Sequence, residues 1–451
     1  MAISAARKAA FDILLRVERE SSYASELLHS AVQEKLSTPD HALATELVMG
    51  VLRWQQRLDQ EIATTSSQAL AKLDLEILIA VRLALYQFQF LDRVPQRAAL
   101  HESVELVKWA RKKSAAPFVN AVLRKLSTNS RWAVKEAGGS AEELARSWSH
   151  PQWMVERWAA EYGLAAARKI CRHNQSIPTT TIRLRTPTAE GDLGREEIVL
   201  GRGQLLSDAR QVEKGDITRT QAFRDGHAVI QDEASQLVAA LVTASAGESA
   251  RILDCCAAPG GKTLAIADHN PGAAITAVEL HQHRARLLEK LLRLNEPNSD
   301  KRIQVVVADA QSLPASSPFD RILADVPCSG TGTLARNPEI KWRLTPADLI
   351  DLQGRQTAIL HSALGQLAPG GRLIYSTCSL EKEENEDVVA KVLGENQSIR
   401  LQDCNLELDR LKSGGELIWP VPGSLTRGAY LRTIPGVHPC DGFFAAILER
   451  V

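Results

Sequence analysis

From about Asp225 to the C-terminus, short β-branched runs alternate with helical stretches, and this alternation constrains the fold more than any other feature. Strands are expected at Arg251–Asp254, Ala274–Val278, Gln304–Val307, Arg321–Ala324, Arg372–Ser376 and Phe443–Leu448, with helical stretches such as His281–Leu294 between most of them. Such a chain packs helices on both faces of a parallel, doubly wound sheet, because each crossover must return the chain to the starting end of the next strand. Ligands of these sheets bind beyond the carboxyl ends of the strands. Chemistry is therefore expected in the residues that directly follow each strand.

At 451 residues the chain exceeds one ordinary core. Residues 1–140 are rich in helix formers and poor in Gly and Pro, and read as an all-α domain. Leu78, Val81, Leu85 and Phe88 recur on one helical face. Val119, Val122, Leu123 and Leu126 do the same after Pro117, which suits a first helical turn. The pattern fades at Ser127–Ser130 and Gly138–Ser140, where a linker is expected. Residues 141–224 read as a small α+β module: a helix with Trp153, Trp158 and Tyr162, then an alternating strand over Thr179–Arg185. Residues 225–451 form the α/β domain.

Lys+Arg and Asp+Glu both number 54, so a nucleic-acid site would have to be a local basic patch. The N-terminus carries no long apolar leader segment, and the most apolar run, Leu75–Leu91, is broken by Glu76 and Arg82. The seven cysteines are odd in number and contain no Cys-x-x-Cys, which argues for reduced thiols without a disulfide framework or zinc site. A cytoplasmic monomer with no membrane partner and no metal is the expectation.

The first expected strand runs into Asp254-Cys-Cys-Ala-Ala-Pro-Gly-Gly-Lys-Thr263, and a helix follows. Gly260 and Gly261 permit close approach of a ligand, and a helix N-terminus offers free N–H groups. A phosphate-binding P-loop would need Gly at position 256, which is Cys, and no G-x-G-x-x-G occurs. Acidic residues follow successive strands: Glu279, Asp309 and Asp325. Each alone could be a helix cap. As an ordered set, with no Arg expected opposite, they suit a cationic ligand without phosphates. S-adenosylmethionine fits, with Glu279 placed for the ribose hydroxyls and Asp309 for the adenine amino group.

Two cysteines also follow strands, Cys328 in Asp325-Val-Pro-Cys-Ser-Gly-Thr-Gly332 and Cys378 in Tyr375-Ser-Thr-Cys-Ser379. A lone cysteine is more often a small packing residue; two on the expected ligand rim are poorly explained by packing. C5 of cytosine is a weak nucleophile. Addition of a thiolate to C6 makes C5 enamine-like and able to accept a methyl group. Hydrogen bonding at N3, a role open to Asp325, eases that addition. The C5 proton must then leave, and a second thiol can assist release.

Cys256-Ala-Ala-Pro-Gly-Gly-Lys262, Asp325–Gly332, Ser376-Thr-Cys-Ser379, Glu384-Asn-Glu386 and Asp441-Gly-Phe-Phe444 together resemble the signature motifs of the RsmB/NOP family of RNA cytosine-C5 methyltransferases. The resemblance spans nearly the whole chain. Gly50-Val-Leu-Arg-Trp54, Val94-Pro95 and Phe118–Arg124 resemble the antitermination factor NusB, as in the RsmB branch. It implies an all-α NusB-like N-terminal domain, a small α+β (RRM-like) RNA-binding module and a C-terminal Rossmann-like class I methyltransferase domain. It also implies Cys378 as nucleophile and Cys328 as the thiol that promotes release; Asp325 is the third catalytic candidate, from the chemistry at N3. Cofactor contacts would fall on Cys256, Ala257, Ala258, Pro259, Gly260, Gly261, Lys262, Glu279, Asp309 and Asp325. The implied substrate is 16S ribosomal RNA, at the cytosine conventionally numbered 967. Val326 stands where the family often has Ala, and Glu279 where Asp is common. A transfer-RNA methyltransferase and a non-catalytic RNA-binding assembly factor are the alternatives; the NusB-like start disfavours the first and the two cysteines the second.

Lys108, Arg111, Lys112, Lys113, Arg124 and Lys125 suit either RNA backbone contact or a solvated helix face. Arg183 and Arg185 are further RNA candidates. Arg336, Lys341, Trp342 and Arg343 read as a basic, aromatic loop for RNA contact. His101, His227 and His438 read as structural, and Cys171, Cys255, Cys404 and Cys440 as packing residues.

Overall fold

The computed structural model describes all residues except 1–2, 21, 30–35, 130–131, 133–138, 187, 244–245, 248, 296–301 and 315–316. Ser130 and Gly138 of the expected linker, and every residue between them except Trp132, lie outside the described residues. Two compact units are found, residues 1–177 with 334–343, and residues 178–333 with 344–451. Among the described residues no helix is long and apolar enough to cross a membrane.

The first unit is helical: α1 (Ala5–Glu20), α2 (Ala24–Leu28), α3 (Thr38–Thr65), α4 (Leu75–Phe90), α5 (Gln96–Trp109), α6 (Ala116–Leu126), α7 (Ala141–Ser147), α8 (Gln152–Tyr162) and α9 (Leu164–Asn174). Ser37 caps α3 by accepting from the Asp40 N–H, and Pro117 lies in the first turn of α6. α4 is not simply amphipathic: Ile77 and every residue from Ile79 to Gln89 are buried. Its polar groups are therefore paired internally. Arg82 donates to both Asp59 oxygens at 2.7 Å and to Glu18 at 3.0 Å, while Gln87 accepts from Arg7 at 2.7 Å. A Cβ on Gly50 would meet the Tyr86 ring at 2.0 Å, so α3 and α4 approach closely only through that glycine.

The second unit begins with an antiparallel sheet of β1 (Thr181–Leu184), β2 (Val199–Arg202), β3 (Ala209–Lys214) and β4 (Ala228–Ile230), in the order β2-β3-β1-β4. Helices α10 (Ala189–Arg195) and α11 (Gln221–Arg224) accompany it. Then come α12 (Glu233–Thr243), β5 (Arg251–Asp254), α13 (Gly261–His269), β6 (Ala274–Glu279), α14 (Gln282–Asn295), β7 (Ile303–Val307) and β8 (Phe319–Asp325). The short α15 (Ile340–Arg343) belongs to the helical unit. The chain continues through α16 (Pro346–Gly365), β9 (Leu367–Thr377), α17 (Glu386–Glu395), β10 (Ile399–Gln402), α18 (Cys404–Ser413), β11 (Thr426–Arg427), β12 (Tyr430–Arg432) and β13 (Phe444–Arg450).

Among the described residues the large sheet runs β11-β12-β13-β9-β8-β5-β6-β7. The stretch β9-β8-β5-β6-β7 is parallel, as expected, but β13 lies antiparallel to β9. The outer edge of β13 is shared by β12 near its start and β10 near its end. Central strands are apolar on both faces, with Ile252, Leu253, Ile322, Leu323, Leu373 and Ile374 buried. That burial holds the strand ends rigid and presents the next residue of each at one rim.

The small sheet is joined to this core by charge. Arg183 and Arg185 of the β1 region each bind Asp268 of α13 at 2.6 Å. These arginines are consumed internally, which removes them as RNA candidates. Glu233, at the start of α12, accepts from the backbone N–H groups of Gln204, Leu205 and Leu206.

Candidate active site

β5 ends at Asp254, and its loop feeds α13 through Gly260, whose φ is +110°. A Cβ there would lie 2.6 Å from Leu288 and 2.9 Å from Leu291, so both conformation and packing require glycine. Asp254 is buried; one oxygen accepts from the Thr263 hydroxyl at 2.7 Å, and Oδ1 has no partner. Burial pushes its pKa up to about 6.

Glu279, at the end of β6, is buried and accepts from the His281 N–H at 2.9 Å. Asp309, just past β7, is half-buried and accepts from the Gln311 N–H at 2.9 Å. Asp325 ends β8, accepting from Ser376 at 2.7 Å and facing the Lys262 ammonium at 2.8 Å. Burial opposes the charge on Lys262, but Asp325, Cys378 and Asp254 together outweigh it and the pKa is raised. Its ammonium also lies 5.0 Å from the Phe443 ring centroid. Contrary to the expectation that no Arg faces these carboxylates, Arg284 lies 3.7 Å from Glu279; Lys262 pairs with Asp325.

The two cysteines, fifty positions apart, meet with their sulfurs 3.3 Å apart. This follows from register: β8 and β9 are parallel neighbours with Asp325 opposite Ser376. Cys328 is kept as a thiol, its pKa raised by its hydrogen bond with Cys378 and then by burial.

Sequence reasoning gave no role to the group that locks these loops together. Glu384, fully buried, accepts from the Ser329 N–H at 2.8 Å, the Ser329 hydroxyl, the Ser379 hydroxyl at 2.5 Å and Gln356 Nε2 at 2.9 Å. It thus bridges the residues that directly follow each cysteine. Asn385 donates to the Ser379 carbonyl at 2.9 Å, and Tyr375 to the Glu384 carbonyl at 2.6 Å. Gly332 donates to the Cys378 carbonyl and accepts from the Gly442 N–H. A Cβ on Gly332 would sit 2.1 Å from the Gly442 oxygen, so three chain segments cross there only without a side chain. The Glu384-Asn-Glu386 and Asp441-Gly-Phe-Phe444 motifs were the signal; their non-local partners were not.

Other candidates take structural places. Lys341 is buried and donates to the carbonyls of Arg53 and Ser149, Trp342 donates to Leu52, and Arg343 donates to Val17, all within the helical unit. The expected RNA-contacting loop is thus largely committed to packing there. His438 accepts from the Ile434 N–H, and Cys171, Cys255, Cys404 and Cys440 are buried. Lys108 pairs with Glu105 and Lys112 with Asp74, while Arg111, Lys113, Arg124 and Lys125 are exposed.

The strand-end residues suit S-adenosylmethionine. An unpaired, buried Asp254 oxygen, together with Glu279 and Asp309 at neighbouring ends, favours a cation bearing hydroxyl and amino donors. A phosphate would meet carboxylates instead.

Comparison with known proteins decides the family. A probable ribosomal RNA small subunit methyltransferase B of Bacillus subtilis (strain 168) is 33% identical over 460 residues, covering 98% of each chain. A family model for the 16S rRNA methyltransferases RsmB/F matches residues 241–449. The chain belongs to the RsmB/F family. The NusB family matches residues 4–128, and a ferredoxin-like domain of RsmF/B-like methyltransferases matches 150–190, so both expected N-terminal modules of this family member are present. Among solved structures, PH0851 is similar in fold, with a TM-score of 0.82, 22% identity and full coverage of both chains. NSun6 from Pyrococcus horikoshii, solved with SFG, an analogue of S-adenosylmethionine, covers 67% of this chain and 98% of its own at a TM-score of 0.56 and 21% identity.

Proposed function

We propose that this family member methylates C5 of a cytosine in 16S ribosomal RNA through a covalent bond between Cys378 and C6 of the base. The observation that carries the reading is the 3.3 Å approach of Cys328 and Cys378 beside the Lys262–Asp325 pair. S-adenosylmethionine supplies an electrophilic methyl group when bound. Residues Cys256–Lys262, Glu279, Asp309 and Asp325 hold that cofactor.

Cys378 Sγ adds to C6, and the displaced π electrons make C5 nucleophilic. The Cys378 thiol proton passes to N3 as charge develops there, and Asp325, held by Ser376 and Lys262, accepts the hydrogen bond from that N3–H. C5 gains the methyl group as its bond to the sulfonium sulfur breaks, and then gives its proton to solvent; the electrons of that C–H bond re-form the C5–C6 double bond and expel Cys378 from C6. Cys328, held protonated, returns a proton to the departing sulfur. The base must be unpaired or flipped out to reach this rim. Residues 1–140 and 141–224 capture RNA and residues 225–451 carry the chemistry, in a monomer acting in the cytoplasm.

The test is to incubate the chain with labelled S-adenosylmethionine and unmodified small-subunit rRNA, naked and in ribosomal particles, and to map the methylated base. A 5-methylcytosine at a single 16S position, equivalent to 967, is expected. Transfer to transfer RNA alone, or methylation at another atom of the base, would overturn the proposal.

A further inference from the structure

The seven cysteines fall into two environments. Cys171, Cys255, Cys404 and Cys440 are buried, whereas Cys256, Cys328 and Cys378 are half-buried. Burial, then Cys255 and the surrounding carboxylates, push the Cys256 thiol well above its usual range. Cys328 and Cys378 touch, with sulfurs 3.3 Å apart. A disulfide bond is about 2.05 Å long, so closing one brings these sulfurs together by only about 1.3 Å. The residue after each cysteine is fixed to one carboxylate, since the Ser329 N–H and the Ser379 hydroxyl both donate to Glu384. The Gly332 N–H donates to the Cys378 carbonyl at 2.9 Å and ties the two loops a second time. The backbones thus hold the sulfurs side by side, and rotation of the side chains makes the remaining approach. Lys262 draws support for its charge from Cys378, which places that sulfur beside an ammonium group. A thiolate beside a cation and open to solvent is the form that meets oxidants, and an adjacent thiol captures the product.

We propose that Cys328 and Cys378 form a modification site for hydroperoxides, closing a reversible disulfide that stops methyl transfer and shields Cys378 from irreversible oxidation. Cys378 Sγ attacks one oxygen of the hydroperoxide. An S–O bond forms, the O–O bond breaks, and the thiol proton leaves with the other oxygen as water or an alcohol. Cys328 Sγ then attacks the Cys378 sulfur; an S–S bond forms, and the hydroxyl leaves with the Cys328 proton as water. The two thiols have together lost two electrons to the peroxide. A small dithiol reverses the bond by thiol–disulfide exchange and is itself oxidised to a disulfide. The position of Cys328 decides the outcome. Its sulfur is present at high effective concentration when the sulfenic acid forms. Capture therefore outruns a second peroxide, which would carry Cys378 to the irreversible sulfinic acid. In reducing compartments disulfides of this transient kind serve regulation. The bond itself rests on the geometry of the two sulfurs, and its effect on methyl transfer rests on the role proposed above for Cys378.

The full-length chain is treated with a small molar excess of hydrogen peroxide, capped with iodoacetamide, digested and read by mass spectrometry. Methyl transfer to 16S rRNA is measured on uncapped portions of the same samples, before and after dithiothreitol. The Cys328 and Cys378 peptides should be found joined, two hydrogens lighter than their sum. Transfer should fall in proportion to the joined fraction and return fully with dithiothreitol. Cys328→Ala is followed by mass alone. Its Cys378 should reach the sulfinic acid, which dithiothreitol does not reverse, at a peroxide dose that leaves the wild type reducible. Cysteines 328 and 378 that stay open to alkylation after peroxide overturn the proposal, as do a wild type that gives only sulfinic acid and disulfides that join other cysteines. Transfer by the untreated chain with no joined peptides sinks the modification site alone. Absence of transfer from the untreated chain sinks the proposed function alone, since the joined peptides are read by mass. A joined chain that still transfers methyl groups overturns the switch and the catalytic role of Cys378 together.

Discussion

Replacing Glu384 with Ala should disable methyl transfer while leaving cofactor binding nearly intact. Its carboxylate accepts from the Ser329 N–H, both serine hydroxyls and Gln356. Gln356 also donates to the Pro327 carbonyl, and the two hydroxyls lie 3.0 Å apart, so those three donors partly compensate one another after truncation. The Ser329 N–H and one hydroxyl are left without an acceptor. At ~1–3 kcal/mol per orphaned buried group, the local cost is about 2–6 kcal/mol. The loops after β8 and β9 will relax to recover part of it, moving Cys328 relative to Cys378. Misplacement of reacting groups by about 1 Å costs on the order of a hundredfold in rate. The assay is steady-state transfer of labelled methyl groups to rRNA, with the cofactor Kd measured separately by calorimetry. A kcat lowered about a hundredfold with the cofactor Kd within about threefold is expected. Glu384→Gln keeps one acceptor oxygen and should fall between Ala and wild type. A Glu384→Ala chain with wild-type kcat would refute the view that this carboxylate sets the distance between the thiols.

Other outcomes follow from single contacts. Gly332→Ala forces a Cβ to 2.1 Å from the Gly442 oxygen and 2.8 Å from the Cys378 oxygen, both backbone, so kcat should fall at least tenfold in the same transfer assay. Asp268→Ala removes the carboxylate that Arg183 and Arg185 share, leaving them their bonds to Gln231 and to the Gly226 carbonyl, and should destabilise the second unit by about 3 kcal/mol in urea unfolding. Asp254 retains its proton to about pH 6 in the folded chain but only to about 4 when unfolded. Its contribution to stability is therefore full below about pH 4 and is lost as pH rises through 6, a change of about 3 kcal/mol. Asp254→Asn should then raise the urea midpoint of the cofactor-free chain at pH 7.5 and leave it little changed at pH 4.

The parts legible in the sequence were those set by local pattern. The run Arg251–Asp254 is a strand over those same residues because an apolar core stretch ends at a charge and two cysteines. Asp325 and Ser376 fall at strand ends for the same reason, which put Cys328 and Cys378 on one rim. Their 3.3 Å contact required the pairing of β8 with β9, a non-local fact. The antiparallel course of β13 was not visible, because apolar period does not record direction. β10, β11 and β12 are too short to show a period. Lys341 looked like a solvated or RNA-facing charge because basic residues are rarely buried. Only the carbonyls of Arg53 and Ser149, nearly 300 and 200 positions earlier, make its burial tolerable. Glu384 was visible as part of a motif, yet its four donors come from three separate segments.

In the proposed reaction Cys378 forms the covalent bond to the base and Cys328 releases it. The most direct measurement mixes wild type, Cys378→Ala and Cys328→Ala with labelled 16S rRNA and S-adenosylmethionine, then resolves the products on a denaturing gel. Cys328→Ala should accumulate a protein–RNA adduct whose cross-linked peptide contains Cys378, and Cys378→Ala should give neither adduct nor methylated RNA. Normal turnover by Cys378→Ala, or an adduct mapped to another residue, would contradict the account.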